Sequence, residues 1–338
     1  MQRVTIKDIA REAGVSPQTV SRAINDKGEI SPQTQSRILA IADRLGYRPN
    51  SIARSLVSRR TQNIGLVIPD VTNPFFAEVV RGIEDAAHEA DYNVFLCNAA
   101  ENLQRETSAI HSLEAQRVDG LILCSARLSE RELVQVAERY QPLVIVNRQI
   151  KHAQTGSVRI DDVGGAEKAI KYLIELGHRN IGILAGPLNS HSGRERTKGY
   201  WRAMQTHQLG PPTSWQIHCS PQVETGHSAT RKLLKRAPEL TALLAFNDLV
   251  AVGAMRACEE LGRPVPESIS VVGYDNVCLA ALVSPSLTTI HIPKYELGQQ
   301  AMSLILQMLA REDWAPSPVI LPTHLKIRAS TARPQTQD

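Results

Sequence analysis

The chain has 338 residues, long enough for two or three domains with sizeable hydrophobic cores, and a formal net charge of +4. Residues 1–60 hold eleven Lys and Arg against five Asp and Glu, so the positive charge is concentrated at the N-terminus, as expected of a protein that binds a polyanion; a solvated charged surface is the alternative. No segment reaches eighteen uninterrupted apolar residues and the N-terminus lacks the apolar run of a secretory leader, so we expect a cytoplasmic protein without a membrane partner.

The first predicted elements are two short helices separated by a glycine. Gly14 suits a tight turn with positive φ, Ser16 is a good N-cap, and Pro17 suits the first helical position. The apolar side chains at helical spacing are Ile6, Ile9, Ala10 and Ala13 in the first helix and Val20, Ala23 and Ile24 in the second. The spacing is that of a helix-turn-helix, and an ordinary helical hairpin is the alternative.

A third helix follows, with Ser31 as its predicted N-cap and Gly46 near its end. Its predicted inner face consists of Ile38, Leu39, Ile41, Ala42 and Leu45. On the outer face of the second helix, Arg22 suits guanine edges and Gln18 suits adenine edges in the major groove of DNA.

The run from Val4 through Val57 resembles the LacI/GalR family of bacterial transcription regulators. The resemblance implies a helix-turn-helix DNA-binding domain over residues 1–48 and a hinge helix with its linker over 49–61. The implied base contacts are Pro17, Gln18, Arg22, Ala53 and Leu56, with Leu56 wedged into the minor groove. The implied phosphate contacts are Thr5, Ser16, Thr19, Ser21, Asn25, Ser31 and Asn50. Pro17 offers only apolar contact, and helix capping explains Ser16 and Ser31 equally well.

Strand and helix patterns alternate from residue 64 onward, which predicts doubly wound parallel sheets. The predicted strands of the first half are near residues 64–69, 94–97, 120–124, 143–146 and 157–161, with helices near 75–90, 105–115 and 130–138. The pattern restarts with helices near 164–176, 194–205, 225–235, 249–260 and 295–309 and strands near 181–186, 243–246, 269–274 and 287–290. Two such halves indicate two lobes with a cleft between them.

Polar residues follow or end several of these strands, and the carboxyl ends of parallel strands meet at one edge of a sheet. Asn73, Asn147, Asp161, Gly186, Asn247 and Asp275 are therefore expected to converge on the cleft. The candidate ligand-binding residues are Asn73, Phe75, Phe76, Asn147, Arg148, Arg196, Asn247 and Asp275. The polar members suit sugar hydroxyls and either phenylalanine suits stacking on a ring, while helix capping is the alternative for Asn73 and Asn247.

The body of the chain also resembles the LacI/GalR family. The motifs that carry the resemblance are Thr72 to Phe76, Arg117 to Gly120, Gly177 to Ile181, Gly186 to Leu188, Asn247-Asp248, Gly273 to Asn276 and Leu287 to Ile290. The resemblance implies an α/β core of two doubly wound parallel-sheet lobes, of the periplasmic-binding-protein-like type, over residues 62–333. The first lobe is expected over about 62–160 plus 291–322, and the second over about 161–290 plus 323–333.

The resemblance also points to Arg196, and next to Asp275, as effector-binding residues. Purine-binding members carry an arginine where this chain has Ser190, which favours a sugar or sugar derivative over a nucleobase. The expected protein is a homodimeric repressor that binds a near-palindromic operator in double-stranded DNA and responds to a small-molecule effector.

Two other classes compete with this interpretation, a secreted sugar-binding protein and an α/β enzyme. The basic helical head argues against the first. GxxxxGK[ST], GxGxxG after a strand, GxSxG and HExxH are all missing, so we expect no catalytic residues and no cofactor. The widely spaced cysteines, without a CxxC pair, favour reduced thiols, and neither they nor the histidines suggest a metal site; the cysteines are Cys97, Cys124, Cys219, Cys258 and Cys278.

Overall fold

The computed structural model describes residues 4–24, 30–47, 60–311 and 316–335. The chain divides into two compact units, residues 1–61 and residues 62–338. Most of the predicted hinge segment lies outside the described residues.

The N-terminal unit contains three helices around one small core. They are α1 (Ile6–Ala13), α2 (Pro17–Ile24) and α3 (Pro32–Arg44). Gly14 ends α1 in the left-handed conformation at φ 64°, where a residue without Cβ is least strained. Ile9, Val20 and Ile38, one from each helix, are fully buried and form the centre of the core.

The predicted burial of one core residue in this unit is wrong. Leu39 is 45% exposed, although the sequence placed it on the inner face of α3. Ile38 and Ala42 are four residues apart and share the buried face, whereas Leu39 is turned about 100° from Ile38 around the helix axis. The side chain therefore lies at the edge of the face and points toward solvent.

The first half of the C-terminal unit is built on a six-stranded sheet in the order β11-β5-β4-β3-β1-β2, with every pairing parallel. Its strands are β1 (Asn63–Ile68), β2 (Asn93–Asn98), β3 (Gly120–Cys124), β4 (Leu143–Val146), β5 (Thr155–Ile160) and β11 (Val319–Leu321). The helices of this half are α4 (Pro74–Glu89), α5 (Leu103–Ala115), α6 (Glu130–Arg139) and α12 (Lys294–Ala310). Strands β1, β3 and β4 are apolar because helices cover both faces of a parallel sheet.

The second half is built on another six-stranded sheet in the order β12-β10-β9-β8-β6-β7. Its strands are β6 (Ile181–Ala185), β7 (Gln216–His218), β8 (Ala242–Ala245), β9 (Ser270–Asp275), β10 (Thr288–His291) and β12 (His324–Lys326). The helices are α7 (Asp162–Glu175), α8 (His191–Thr206), α9 (Val223–Arg236), α10 (Asp248–Glu260) and the short α11 (Leu279–Leu282), with a 3₁₀ turn at Thr213–Trp215. The edge strand β12 is antiparallel to β10, whereas the other pairings are parallel.

The described chain passes between the two sheets three times. The crossings follow β5, β10 and β11, so each half contains segments distant in the sequence. Helix α12 returns to the first half and packs against α4, where Gly298 and Gly82 let the two backbones approach closely. Among the described helices, none combines the length and apolarity needed to cross a membrane.

Candidate functional site

Helix α2 of the N-terminal unit presents the predicted base-reading residues on its outer side. Pro17, Gln18 and Arg22 are exposed, while Val20 and Ala23 are buried. The helix is therefore held by its apolar side and leaves a guanidinium and an amide facing outward. These are the groups that form bidentate hydrogen bonds with guanine and adenine.

The predicted phosphate contacts in this unit also have structural roles. The Ser16 hydroxyl accepts a hydrogen bond from the Thr19 amide at 3.1 Å, and Ser31 accepts one from the Thr34 amide at 3.4 Å. Thr5 and Asp8 form a capping box at the start of α1, and the hydrogen bonds from Thr5 lower the pKa of the Asp8 carboxyl. Ser21 lies half-buried on α2. Asn25, Asn50, Ala53 and Leu56 lie outside the described residues.

In the C-terminal unit, a cavity lies between the two halves at the carboxyl ends of their strands. We call it the central cavity. It encloses about 370 Å³ of empty space, counted with the part open to solvent. Seven of the eight predicted ligand-binding residues line it: Asn73, Phe75, Phe76, Asn147, Arg196, Asn247 and Asp275. Ser190, which the sequence analysis named only as a position that differs from purine-binding members, also lines it. The residues that the sequence analysis missed complete the lining: Glu101, Ser125, Arg127, Ser192, Pro221 and Phe246.

The predicted asparagines are placed by the strand-to-helix turns. Asn73 caps α4 by accepting a hydrogen bond from the Phe75 amide at 3.0 Å, and Asn247 caps α10 by accepting one from the Val250 amide at 2.9 Å. Each asparagine therefore caps a helix and lines the central cavity as well. Asn147 follows β4 at φ 62° and donates from its amide nitrogen to Ser125 Oγ at 3.0 Å.

Arg196 is a buried cation that contacts two carboxylates, a carbonyl and an aromatic ring at the central cavity. Its Nε donates to Asp162 Oδ1 at 2.8 Å, its Nη2 lies 3.4 Å from Asp275 Oδ1, and its Nη1 donates to the Phe246 carbonyl. The guanidinium carbon lies 3.7 Å from the centre of the Tyr274 ring. Burial alone would lower the pKa of Arg196, but the carboxylates of Asp162 and Asp275 raise it, so the side chain stays charged.

Asp275 is held in an unusual backbone conformation. It ends β9 at φ 106°, and Asn276 follows at φ 52°. The buried Lys294 ammonium donates to both of their carbonyls at 2.9 Å, which offsets the strain of this turn. Burial raises the pKa of Asp275 to about 6, although Arg196 and Lys294 act in the opposite direction.

Another buried carboxyl group, that of Asp248, stabilises the turn at Asp275 and Asn276. Asp248 accepts hydrogen bonds from the Val277 amide at 2.8 Å and from the Thr289 hydroxyl. Burial, and next the negative charge of Asp275, raise the pKa of Asp248 to about 7. Burial also raises the pKa of Asp162, so three carboxyl groups whose ionisation is costly lie in or next to the central cavity.

Missed residues form a second ion pair on the opposite wall. Arg127 binds Glu101 through two hydrogen bonds of 2.9 Å, and the Arg127 side chain is only 6% exposed. Ser192 lies four residues before Arg196 on α8, so both fall on the same face of that helix. Helical spacing from Arg196 could have identified Ser192; the loops that carry Glu101 and Arg127 have no comparable pattern.

The expected role of Arg148 is not supported. The side chain is buried outside the central cavity and donates to the Leu128 carbonyl, with a longer bond to the Ala126 carbonyl. Strand β4 ends at Val146, and Asn147 has a left-handed backbone at φ 62°, so the turn after the strand and the two carbonyls fix the position of the Arg148 side chain. Among the described residues, no group of three His, Cys, Asp or Glu side chains could hold a metal ion.

The chain matches two known protein-family descriptions. Residues 5–50 match bacterial regulatory proteins of the lacI family, and residues 61–329 match the periplasmic binding proteins and sugar binding domain of the LacI family. The chain belongs to the LacI family. This LacI-family protein is therefore a DNA-binding transcriptional regulator with an N-terminal helix-turn-helix domain and a two-lobed α/β core.

Individual relatives agree with this family membership. The LacI-family protein is 35% identical to catabolite control protein A of Priestia megaterium, over 97% of this chain and 99% of that protein. It resembles the structure of the lac repressor dimer bound to operator and the anti-inducer ONPF, with a TM-score of 0.89 and 30% identity over 98% of this chain and 100% of that one. The complex of transcriptional regulator CelR with cellobiose gives a TM-score of 0.75 and 32% identity over 97% of this chain and 100% of that one. These relatives are regulators rather than enzymes.

Proposed function

We propose that this LacI-family protein is a transcriptional repressor whose affinity for operator DNA is controlled by a sugar or sugar derivative bound in the central cavity. The observation that carries the proposal is the buried Arg196 guanidinium, fixed by two carboxylates among side chains from both halves of the core. A ligand that contacts both halves binds best to one of their relative arrangements. Ligand binding therefore shifts the population toward that arrangement.

The lining of the central cavity supports a polyhydroxylated ligand. Amide, hydroxyl, carboxylate and guanidinium groups surround the space, so both donors and acceptors face a ligand, and three phenylalanine rings offer apolar contact. The matched family description includes a sugar binding domain, and the CelR neighbour holds cellobiose.

A nucleobase is the second candidate effector. The aromatic side chains of Phe75, Phe76 and Phe246 favour it, because a flat base stacks well on phenyl rings. Ser190 disfavours it, since purine-binding members of the family carry an arginine at the matching position. The hydroxyl-rich and charged remainder of the lining makes the sugar our first choice.

On the DNA side, we propose that Gln18 and Arg22 read bases and that Pro17 adds an apolar contact. Thr5, Ser16, Thr19, Ser21 and Ser31 would contact phosphates in addition to capping or packing. Asn25 and Asn50 as phosphate contacts, and Ala53 and Leu56 as base contacts, remain predictions. The likeness to an operator-bound lac repressor dimer supports a cytoplasmic homodimer on a near-palindromic operator, because twofold symmetry in the protein matches twofold symmetry in the DNA.

The proposal is tested by measuring operator affinity with and without sugars. An operator is first selected from random DNA with the full-length protein, and its dissociation constant is then followed by fluorescence anisotropy across a panel of sugars and nucleobases. We expect a sugar to change operator affinity by about 5- to 150-fold, which corresponds to a coupling of about 1–3 kcal/mol. A response to a nucleobase alone would favour the second candidate, and no response to any ligand would contradict the proposal.

A matched pair of variants on α8 locates the response. Arg196→Lys keeps a positive charge but loses the planar guanidinium that reaches Asp162 and Asp275 together. Arg202→Lys makes the same change at an exposed position on the same helix. The ligand response should shift to at least tenfold higher concentration in Arg196→Lys and stay within about twofold in Arg202→Lys.

A further inference from the structure

A surface groove lies in the second half of the core, apart from the central cavity. We call it the basic groove. It runs between the C-terminal end of α9 and the loop that follows α10, and it encloses about 910 Å³ counted with the part open to solvent. The described residues that line it are three apolar residues and four cations, without a carboxylate. The apolar residues are Leu234, Pro238 and Leu261, and the cations are Arg231, Lys232, Lys235 and Arg263.

Arg263 ties the two sides of the basic groove together. Its guanidinium donates to the Pro238 carbonyl at 3.0 Å and to the Leu240 carbonyl, both in the loop after α9. It also donates to Ser268 Oγ at 3.3 Å, in the loop after α10 that carries Arg263 itself. All three acceptors are neutral, so these hydrogen bonds hold the guanidinium in place without cancelling its charge.

Nearby negative charge cancels only part of the positive charge of the basic groove. Arg231 Nη1 lies 3.2 Å from Glu260 Oε2, a carboxylate that is shared with two other side chains. Helices α9 and α10 both end beside the groove, and each helix C-terminus carries about half a negative charge. These groups together offset about two of the four cations. Among the described residues, no carboxylate pairs with the exposed Lys232 or Lys235.

The other carboxylates of these segments do not line the basic groove. Glu239 accepts a hydrogen bond from the Trp215 indole at 2.7 Å, and Glu259 lines a different surface pocket. Glu267 is exposed in the loop after α10 and is not part of the lining. Arg236, the last residue of α9, adds a further exposed cation beside the groove. The two lysines therefore face solvent without a counter-ion from this chain.

The apolar part of the lining restricts what can occupy the basic groove. Leu261 is 39% exposed and lies beside the exposed Pro238 and the buried Leu234. The phosphates of a DNA duplex would attract the lysines but gain nothing from this apolar surface. A neutral apolar segment would cover the leucine but gain nothing from the lysines. A polypeptide segment that carries both carboxylates and an apolar side chain uses the whole lining.

We propose that the basic groove docks an acidic segment of a partner protein, in which an apolar side chain contacts Leu261 and flanking carboxylates pair with Lys232 and Lys235. The observation that carries the proposal is the charge complementarity of two lysines without counter-ions beside an apolar surface. The basic groove shares no residue with helix α2 or with the central cavity. The acidic segment is therefore a third kind of binding partner, in addition to DNA and the effector.

The test is fluorescence anisotropy of labelled synthetic peptides titrated with the full-length protein. The first peptide carries leucine and glutamate at helical spacing, the second has glutamine in place of each glutamate, and the third is polyglutamate of the same length. We expect the first peptide to bind about fivefold or more tightly than either of the others, because only it combines the two kinds of contact. Its advantage over the glutamine peptide should be lost at about 1 M salt, where exposed charges are screened.

Matched double variants locate the binding. Lys232→Gln combined with Lys235→Gln should weaken binding of the first peptide by about fivefold, the effect expected for two exposed ion pairs. The control combines Lys171→Gln with Lys198→Gln, which removes the same charge from exposed positions on α7 and α8. The control should bind the peptide within about twofold of the native protein.

A second pair of variants tests the apolar contact. Leu261→Asn should weaken binding of the first peptide, whereas Leu188→Asn, at a loop position that is 72% exposed, should not. Equal binding of all three peptides, or binding by none of them, would overturn the proposal. Binding to a DNA duplex without an operator is measured in parallel with the lysine variants. A loss of that binding in Lys232→Gln with Lys235→Gln, but not in its control, would also overturn the proposal, since the groove would then contact nucleic acid.

Discussion

Replacement of Arg196 by alanine should destabilise the core strongly and in a pH-dependent way. The substitution removes the cation that contacts Asp162 at 2.8 Å and Asp275 at 3.4 Å, and both carboxylates are buried. Breaking a buried ion pair by removing one partner costs about 3–5 kcal/mol, because the remaining charge has lost its compensation. We therefore expect Arg196→Ala to lower the free energy of unfolding by about 3–5 kcal/mol at pH 8.

The pH dependence of this loss follows from the two carboxyl groups. Burial already raises the pKa of both Asp162 and Asp275, and Arg196 is the main group that lowers them. Without Arg196 their pKa values in the folded state rise further above those in the unfolded chain. A carboxyl group with a raised pKa contributes stability at low pH that is lost as pH rises through the folded-state value. The loss caused by Arg196→Ala should therefore be smaller at pH 5 than at pH 8.

Equilibrium unfolding in urea measures both effects. Trp201 and Trp215 lie in the same half of the core as Arg196 and report its unfolding by fluorescence. Arg202→Ala, which removes an exposed guanidinium from the same helix, is the matched control and should change stability by less than about 1 kcal/mol. A loss below about 1 kcal/mol for Arg196→Ala, or a loss that does not shrink at pH 5, would refute this reasoning.

Three further predictions concern other parts of the molecule. Gly298→Ala should lower the free energy of unfolding, measured by thermal denaturation, by about 1–3 kcal/mol, because its Cβ would lie 2.1 Å from the Val79 carbonyl oxygen. The control Gly210→Ala, at a position in open space, should not lower it. Asp248→Asn should gain stability relative to the native protein as pH rises from 5.5 to 8 in urea titrations, since the pKa of Asp248 is raised to about 7 and asparagine cannot ionise. Arg22→Ala should relax the preference at one base pair per half-site in a selected-sequence experiment and cost about 1–3 kcal/mol of binding free energy. Thr19→Ala should weaken binding to all DNA sequences alike. An unchanged base preference in Arg22→Ala would exclude base reading by this residue.

Much of the fold follows from local patterns in the sequence. The apolar run near residues 64–69 corresponds to β1 (Asn63–Ile68), and the helix expected near 75–90 is α4 (Pro74–Glu89). Both segments are predictable because the buried surface, a continuous apolar run in the strand and an apolar face in the helix, is visible in the sequence. Strands β7, β11 and β12 have three residues each, too few to carry a period, and the sequence analysis missed them. Their positions depend on pairing with distant strands.

The site was predictable where a residue follows a strand. Asn73, Asn147, Asn247 and Asp275 reach the central cavity because the strands of each sheet end at the same edge. Arg148 does not line the central cavity, because the Leu128 carbonyl holds its guanidinium elsewhere, and no local sequence pattern predicts that contact. The opposite-wall pair of Glu101 and Arg127 joins two separate loops, 26 residues apart in sequence, and only the folded chain brings them together.

The central claim is that a ligand in the central cavity controls operator affinity, and the most direct test is the reciprocity of the two binding reactions. The dissociation constant for the operator is measured with and without saturating sugar, and that for the sugar with and without saturating operator, on the same full-length protein. Thermodynamic linkage requires both ratios to be equal, and we expect a value of about 5 to 150. A ratio of one for a sugar that binds in the cavity would contradict the account.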